Sequence, residues 1–116
     1  MNYSLIIPFF NEEKNIETLL NEVFQSLKNL SDSNRSFEII FVDDGSKDNT
    51  FENLKNFSQS TFKIKIIKHK TNKSQSSAIL TGINNSKYEN IITLDGDGQN
   101  DPKDIINLIQ TYEKGS

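Results

Sequence analysis

The chain has no cysteine, no tryptophan, one histidine, two prolines and five glycines in 116 residues. Lacking cysteine, it cannot form disulfides, thiolate zinc sites or thiol nucleophiles. With His69 as its only histidine, it cannot assemble a multi-histidine metal centre. Positive charge is not in excess either. Thirteen Lys and Arg against 16 Asp and Glu leave a net charge of −3, so no nucleic-acid partner is expected. No run approaches the roughly 18 apolar residues that cross a bilayer. Met1-Asn2-Tyr3-Ser4 lacks the basic and apolar regions of an export signal, so the chain reads as cytoplasmic. Neither G-x-G-x-x-G nor G-x-x-x-x-G-K-[ST] follows the first apolar run, which excludes a Rossmann dinucleotide site and a P-loop.

What is present suffices for one domain, residues 1–116. Hydrophobic residues make up 34% of the chain and include eight Phe, enough for a core without staples. Four short runs rich in Ile, Val and Phe, at 3–7, 37–42, 62–67 and 90–94, have the length of strands. Between the first two, Ile16, Leu19, Leu20, Val23, Phe24, Leu27 and Leu30 form one apolar helical stripe. Glu12 and Glu13 stand at its start, where the helix dipole favours negative charge. A second helix is predicted from about Thr50, carrying Phe51, Leu54 and Phe57, with the helical Phe residues in the core. A third is predicted over about 75–84 with Ala78, Ile79 and Ile83 inward. A fourth, opened by Asp101-Pro102, is predicted to bury Ile105, Ile106, Leu108 and Ile109. The order β-α-β-α-β-α-β-α implies an α/β fold, a parallel sheet with helices on both faces. Ligands of such sheets bind at the carboxyl ends of the strands.

Three polar segments leave that edge: Pro8-Phe9-Phe10-Asn11-Glu12, Asp43-Asp44-Gly45-Ser46 and Asp95-Gly96-Asp97-Gly98-Gln99. On an extended backbone Asp95 and Asp97 point the same way, and Gly96 lets the chain approach what lies between them. Such carboxylates repel unless a cation intervenes. Hard oxygen ligands select Mg²⁺ or Mn²⁺, with Gln99 able to add a carbonyl oxygen. An acidic turn that caps the next helix is the plainer reading, and Asp101 suits it. An EF-hand does not fit, because Asn100 and Ile106 replace its Gly and Glu. At Asp43-Asp44 one carboxylate is expected to reach the cleft and accept from a ring N–H or ribose hydroxyl, the other to face structure. Ser46, Asp48 and Thr50 read as turn and capping residues. Lys63, Lys65, Lys68, Lys70 and Lys73 read as the guard of an edge strand, with attraction to an anionic membrane or substrate as the alternative. His69 reads as a loop residue without catalytic duty.

Ile6-Ile7-Pro8-Phe9-Phe10-Asn11-Glu12-Glu13, Val42-Asp43-Asp44-Gly45-Ser46-Lys47-Asp48 and Leu94-Asp95-Gly96-Asp97-Gly98-Gln99-Asn100-Asp101-Pro102 together resemble the family 2 glycosyltransferases. The last motif and Asn72-Lys73-Ser74-Gln75-Ser76-Ser77-Ala78-Ile79 are most similar to the polyprenyl-phosphate group, which includes dolichol-phosphate mannosyltransferases and undecaprenyl-phosphate sugar transferases. The resemblance implies a Rossmann-like GT-A half that binds a UDP- or GDP-linked sugar. Pro8, Phe10, Glu12, Val42 and Asp44 would line the nucleoside pocket, with Asp44 reading the base. Asp95, Gly96 and Asp97 would sit at the ribose and diphosphate, with Asp97 and Gln99 on the metal and Asp95 a further ligand candidate. Inverting transfer to a lipid phosphate would follow. Phe10 stands where many relatives carry Tyr, and Ser74 where they usually carry Gly. Such enzymes continue well past Ser116. The resemblance therefore implies a domain truncated at its C-terminus, whose missing part would supply the acceptor site and membrane association at the cytoplasmic face. The open sheet edge would favour self-association. Among rival readings, a nucleotidyltransferase would bring a Gly- and basic-rich loop after strand one, and a receiver-like domain would bring an acidic pair there. A fragment that binds nucleotide and metal without turnover is compatible with the same residues.

Overall fold

Strands and helices alternate along the chain: β1 (Asn2–Phe9), α1 (Ile16–Leu30), β2 (Ser36–Asp43), α2 (Thr50–Asn56), β3 (Lys63–Lys68), α3 (Gln75–Asn84), β4 (Asn90–Thr93) and α4 (Lys103–Gly115). This is a computed structural model, and it describes residues 1–31, 34–57, 62–95 and 103–115. The sheet is parallel throughout, in the order β3-β2-β1-β4. The predicted element order is therefore observed. β3 is an outer strand, as its lysines suggest.

Alternation along the strands divides the core in two. Tyr3, Leu5, Ile7 and Phe9 of β1, with Phe37, Ile39 and Phe41 of β2, face α1, α2 and α4 in the larger layer. Ile6, Ile40 and Val42 face the other way and pack on Ala78 of α3. Each fully buried side chain of this kind contributes roughly 1.5–3 kcal/mol. The predicted stripe of α1 is buried along its length.

β1 carries a proline yet is an inner strand. Leu94 donates its N–H to Ile6 O at 3.0 Å, so even-numbered residues of β1 face β4. The β1–β4 ladder ends at Ile6 and Thr93, so Pro8, which has no N–H to give, falls beyond it.

Three predicted core positions are corrected. Ile83 is 43% exposed and Leu108 is 47% exposed. α3 meets the sheet through the small residues Ala78 and Gly82, four apart, and this turns Ile83 away. A Cβ on Gly82 would lie 2.5 Å from Ile6 Cγ2, which shows how near the helix comes. On α4 the inward pair is Ile105 and Ile109, with Ile106 at the margin and Leu108 rotated outward. Phe51 is half-buried outside the core, with the Lys55 and Lys68 ammonium groups over its ring at 5.3 and 4.9 Å.

α4 is tied to the sheet by Glu113. Its carboxylate accepts from Arg35 Nε at 3.0 Å, Arg35 Nη2 at 2.8 Å and the Tyr3 hydroxyl at 2.5 Å. The Arg35 bonds, followed by the Tyr3 bond, hold the Glu113 carboxyl down to about 2. Burial, then the adjoining carboxylate, pushes the Tyr3 hydroxyl above its ordinary range. A folded-state value below the unfolded one, about 4.3, means that this contribution is complete above that value and is lost as pH falls toward 2. Glu113→Gln should therefore be less stable than wild type at pH 7, with the difference closing by pH 2. Denaturant melts at the two pH values check this. A gap that persists in acid would show that the carboxylate's charge is not what anchors α4.

Candidate functional site

The first loop is stitched to the second before either meets a ligand. Asn11 adopts φ 53°, a conformation Asn tolerates better than most residues. Its N–H donates to Ser46 Oγ at 2.8 Å, and its Oδ1 accepts from Lys47 N–H at 2.9 Å. Glu12 N–H donates to Thr50 Oγ1 at 2.8 Å. Asp48 accepts from Thr50 N–H at 2.9 Å, Thr50 Oγ1 at 2.5 Å and Glu13 N–H at 3.3 Å. Burial pushes the Asp48 carboxyl up, but these donors outweigh it and hold the group below the ordinary range. Ser46, Asp48 and Thr50 are thus loop-building residues, as the sequence suggested. The N-cap position of α2 falls on Asn49, which makes no side-chain cap bond.

At the end of β2 both aspartates are buried, with Asp43 facing structure and Asp44 bordering the cleft, the division the sequence suggested. Asp43 accepts from the Ser46 hydroxyl, and its Oδ2 has no hydrogen-bond partner among the described residues. Asp44 borders the cleft and is held from the far side. Its Oδ1 lies 2.8 Å from His69 Nδ1 and 3.0 Å from Lys73 N, and its Oδ2 lies 2.9 Å from Asn72 Nδ2. His69 is a loop residue, as read, and it braces Asp44, a structural contact that the sequence reading did not assign to it. The available signal was position: it directly follows β3, on the same sheet edge as Asp44.

Gly45 permits this arrangement. Its φ is +76°, and a Cβ there would fall 2.4 Å from the carbonyl carbon of Thr71 and 2.5 Å from Asn72 N. The backbone of 71–72 thus lies directly against the turn. Ser74 then opens α3 with an extended backbone, φ 168°, and its Oγ accepts from Ser77 N–H at 3.0 Å. Serine is accommodated where relatives were expected to carry glycine. Gln75, the first residue of α3, donates from Nε2 to Asp95 Oδ1 at 2.6 Å and so spans the gap between α3 and the end of β4.

These elements enclose a cleft of about 330 Å³ at the carboxyl ends of β1, β2 and β4. Pro8, Phe10, Glu12, Asp44 and Asp95 all border it, together with Phe9, Asn72, Ser74 and Gln75. The ring of Phe10 is exposed, and so is Asp95. Val42 is not among the lining residues; it is buried in the smaller core layer against α3. Gly96, Asp97 and Gln99 lie outside the described residues. Among the described lining residues there are three carboxylates and no Lys or Arg. Two of the β3 lysines are engaged away from the cleft. Lys65 lies 3.3 Å from Glu38 Oε1, and Lys68 covers Phe51.

Residues 4–116 match the family model described as glycosyl transferase family 2. An undecaprenyl-phosphate 4-deoxy-4-formamido-L-arabinose transferase from Proteus mirabilis is 39% identical over 97% of this chain and 34% of its own length. A dodecaprenyl-phosphate galacturonate synthase from Rhizobium johnstonii is 35% identical over 98% of the chain and 33% of its own. A dolichol-phosphate mannosyltransferase from Pyrococcus furiosus is 34% identical over all of the chain and 31% of its own. The chain thus spans about a third of the length of these curated relatives. Among solved structures, residues 1–349 of S. aureus TarS in complex with UDP superpose with a TM-score of 0.68 at 24% identity, covering 97% of this chain and 33% of that one. At that identity the likeness shows the fold, the α/β arrangement of GT-A glycosyltransferases.

Proposed function

From the premise that this chain belongs to glycosyl transferase family 2, we propose that its cleft binds the nucleoside diphosphate of an activated sugar together with Mg²⁺ or Mn²⁺. The observation that carries this reading is the lining of the cleft, with Glu12, Asp44 and Asp95 around one volume and an exposed aromatic face at Phe10. Among the described lining residues no side-chain cation is available to meet a diphosphate. Among the described residues no three acidic ligands cluster around a metal site, but Asp95 offers a divalent cation hard carboxylate oxygens at the rim. Asp95 would hold it, with Asp97 and Gln99 beyond the described residues. Once bound, the cation would neutralise charge on the departing diphosphate.

The chain's own groups divide the remaining work. Phe10 offers its face to the base, and Asp44 accepts from a donor on the edge of the base. Gln75 holds Asp95 in place from α3. For the whole protein we propose inverting transfer of the sugar to a polyprenyl phosphate at the cytoplasmic face of a membrane. That acceptor class is named in the relatives from Proteus mirabilis, Rhizobium johnstonii and Pyrococcus furiosus. A lipid phosphate is already an anion, so its attack needs no strong general base. Among the described residues no helix is long and apolar enough to cross a membrane. Donor binding is the part of the reaction we assign to these 116 residues.

The test is a thermal-shift series with UDP, GDP and CDP, each with and without Mn²⁺ or Mg²⁺, on wild type and Asp97→Asn. Ligand at a hundredfold excess over its Kd stabilises by about 2.7 kcal/mol, a shift of several degrees for a domain of this size. One nucleotide should give that shift only with metal, and Asp97→Asn should abolish it. A flat response from the folded full-length protein would refute the reading.

A further inference from the structure

The Asp44 carboxylate, only 3% exposed, is nearly filled by its own chain. An ionised carboxylate has about four acceptor positions. On Oδ1, His69 Nδ1 at 2.8 Å and the Lys73 N–H at 3.0 Å take two; on Oδ2, Asn72 Nδ2 at 2.9 Å takes a third. Among the described residues one position is left open, on Oδ2. The ring of His69 is held at both ends, because its Nε2 lies 2.8 Å from Thr81 Oγ1 on α3. With a carboxylate facing Nδ1, the proton sits on Nδ1, and Nε2 accepts from the Thr81 hydroxyl.

Resting on the donor-site reading above, we infer that His69 is a positioning residue for base recognition and that the cleft selects uracil over guanine. Guanine presents a ring N–H and an amino group side by side and grips a carboxylate through both oxygens. Here Oδ1 is already occupied twice, by His69 and by the backbone of Lys73. Uracil presents one ring N–H with no adjacent amino donor, and one open position receives it. Cytosine in a nucleoside has no ring N–H to offer. His69 thus sets the number of positions left on Asp44 and fixes the plane of its carboxylate, without touching the base.

The test measures Kd by calorimetry for UDP and GDP, each with Mn²⁺, on the full-length protein and on its His69→Leu and His69→Asn variants. Wild type should prefer UDP by about tenfold or more. His69→Leu should weaken UDP binding several-fold, because the Asp44 carboxylate is no longer held in its plane, and should narrow the preference. His69→Asn places an amide N–H where Nδ1 stood and should restore most of both, which a merely space-filling role would not predict. If His69→Leu does not melt as a folded protein, Thr81→Val replaces it. That variant releases the far end of the ring and should weaken UDP binding by a smaller factor. GDP binding as tight as UDP in wild type would overturn the inference while leaving the donor site standing. Unchanged UDP affinity and preference in a folded His69→Leu or Thr81→Val would do the same. A wild type that binds neither nucleotide would refute the donor site, and the inference with it.

Discussion

Gly45→Ala should cost about 3–5 kcal/mol, combining strain at a positive φ with a backbone clash, and should lower the melting temperature by more than about 12 °C. The size of the effect comes from what the new methyl would meet. The atoms 2.4 and 2.5 Å away are backbone, Thr71 C and Asn72 N, and cannot swing aside as a side-chain end can. Movement of that segment would withdraw Asn72 and Lys73 from Asp44, so nucleotide binding should fall in whatever fraction still folds. Gly45→Asn separates the two causes, since Asn tolerates φ +76° but still carries a Cβ. It should be nearly as damaging as alanine. If it melts like wild type, the close approach of 71–72 does not exist in solution.

Glu38→Ala should destabilise by about 3 kcal/mol in denaturant melts at pH 7 and leave the nucleotide affinity of the folded protein unchanged. Glu38 is buried near the amino end of β2, at the opposite end of the sheet from the cleft. Its Oε2 accepts from Ser4 Oγ and from Lys87 N–H, each at 2.7 Å, while Lys65 Nζ stands 3.3 Å from Oε1. Ser4 Oγ in turn accepts from Tyr88 N–H at 3.3 Å, so one carboxylate pins the segment between α3 and β4 to the two central strands. Truncation would leave those donors buried or half-buried without an acceptor. Burial pushes the Glu38 carboxyl up, but the bonds from Ser4, Lys87 N–H and Lys65 outweigh it, and the group lies below the ordinary range. Its contribution is therefore present at neutral pH and lost as pH falls below the usual carboxylate value. A loss under about 1 kcal/mol would show that solvent readily replaces this acceptor.

The order of elements was legible because each one carries its own period: seven apolar residues on one face of α1, and short β-branched runs for the strands. Which hydrophobic residues of α3 and α4 turn inward was less legible. Local spacing favours the larger residues Ile83 and Leu108, whereas the sheet accepts α3 through Ala78 and Gly82 and accepts α4 through Ile105 and Ile109. Close packing of a helix on a sheet rewards a small residue at the crossing, and no residue count along the helix reveals where that crossing falls. The convergence of Pro8, Phe10, Glu12, Asp44 and Asp95 followed from topology, since all leave the same edge of a parallel sheet. Val42 was misplaced by adjacency, because neighbours on a strand point to opposite faces and it follows the side of Ile40. The brace on Asp44 could not be read from the sequence. It joins residues 44, 69, 72, 73 and 81, which only the completed β3-to-α3 connection brings together.

The strand order also sets a timetable. A ribosome delivers β1, β2 and β3 in the order in which they pair, so that flank of the sheet can grow as the chain emerges. The other flank of β1 waits for Asn90–Thr93, more than eighty residues after its own partners Tyr3 to Ile6 have appeared. Until then the cleft lacks its β4 side, and Gln75 has no Asp95 to receive its amide. On the proposed donor-site reading, ligand capture would be a late event in the life of the nascent chain, and a bound nucleotide would report that the last strand has docked.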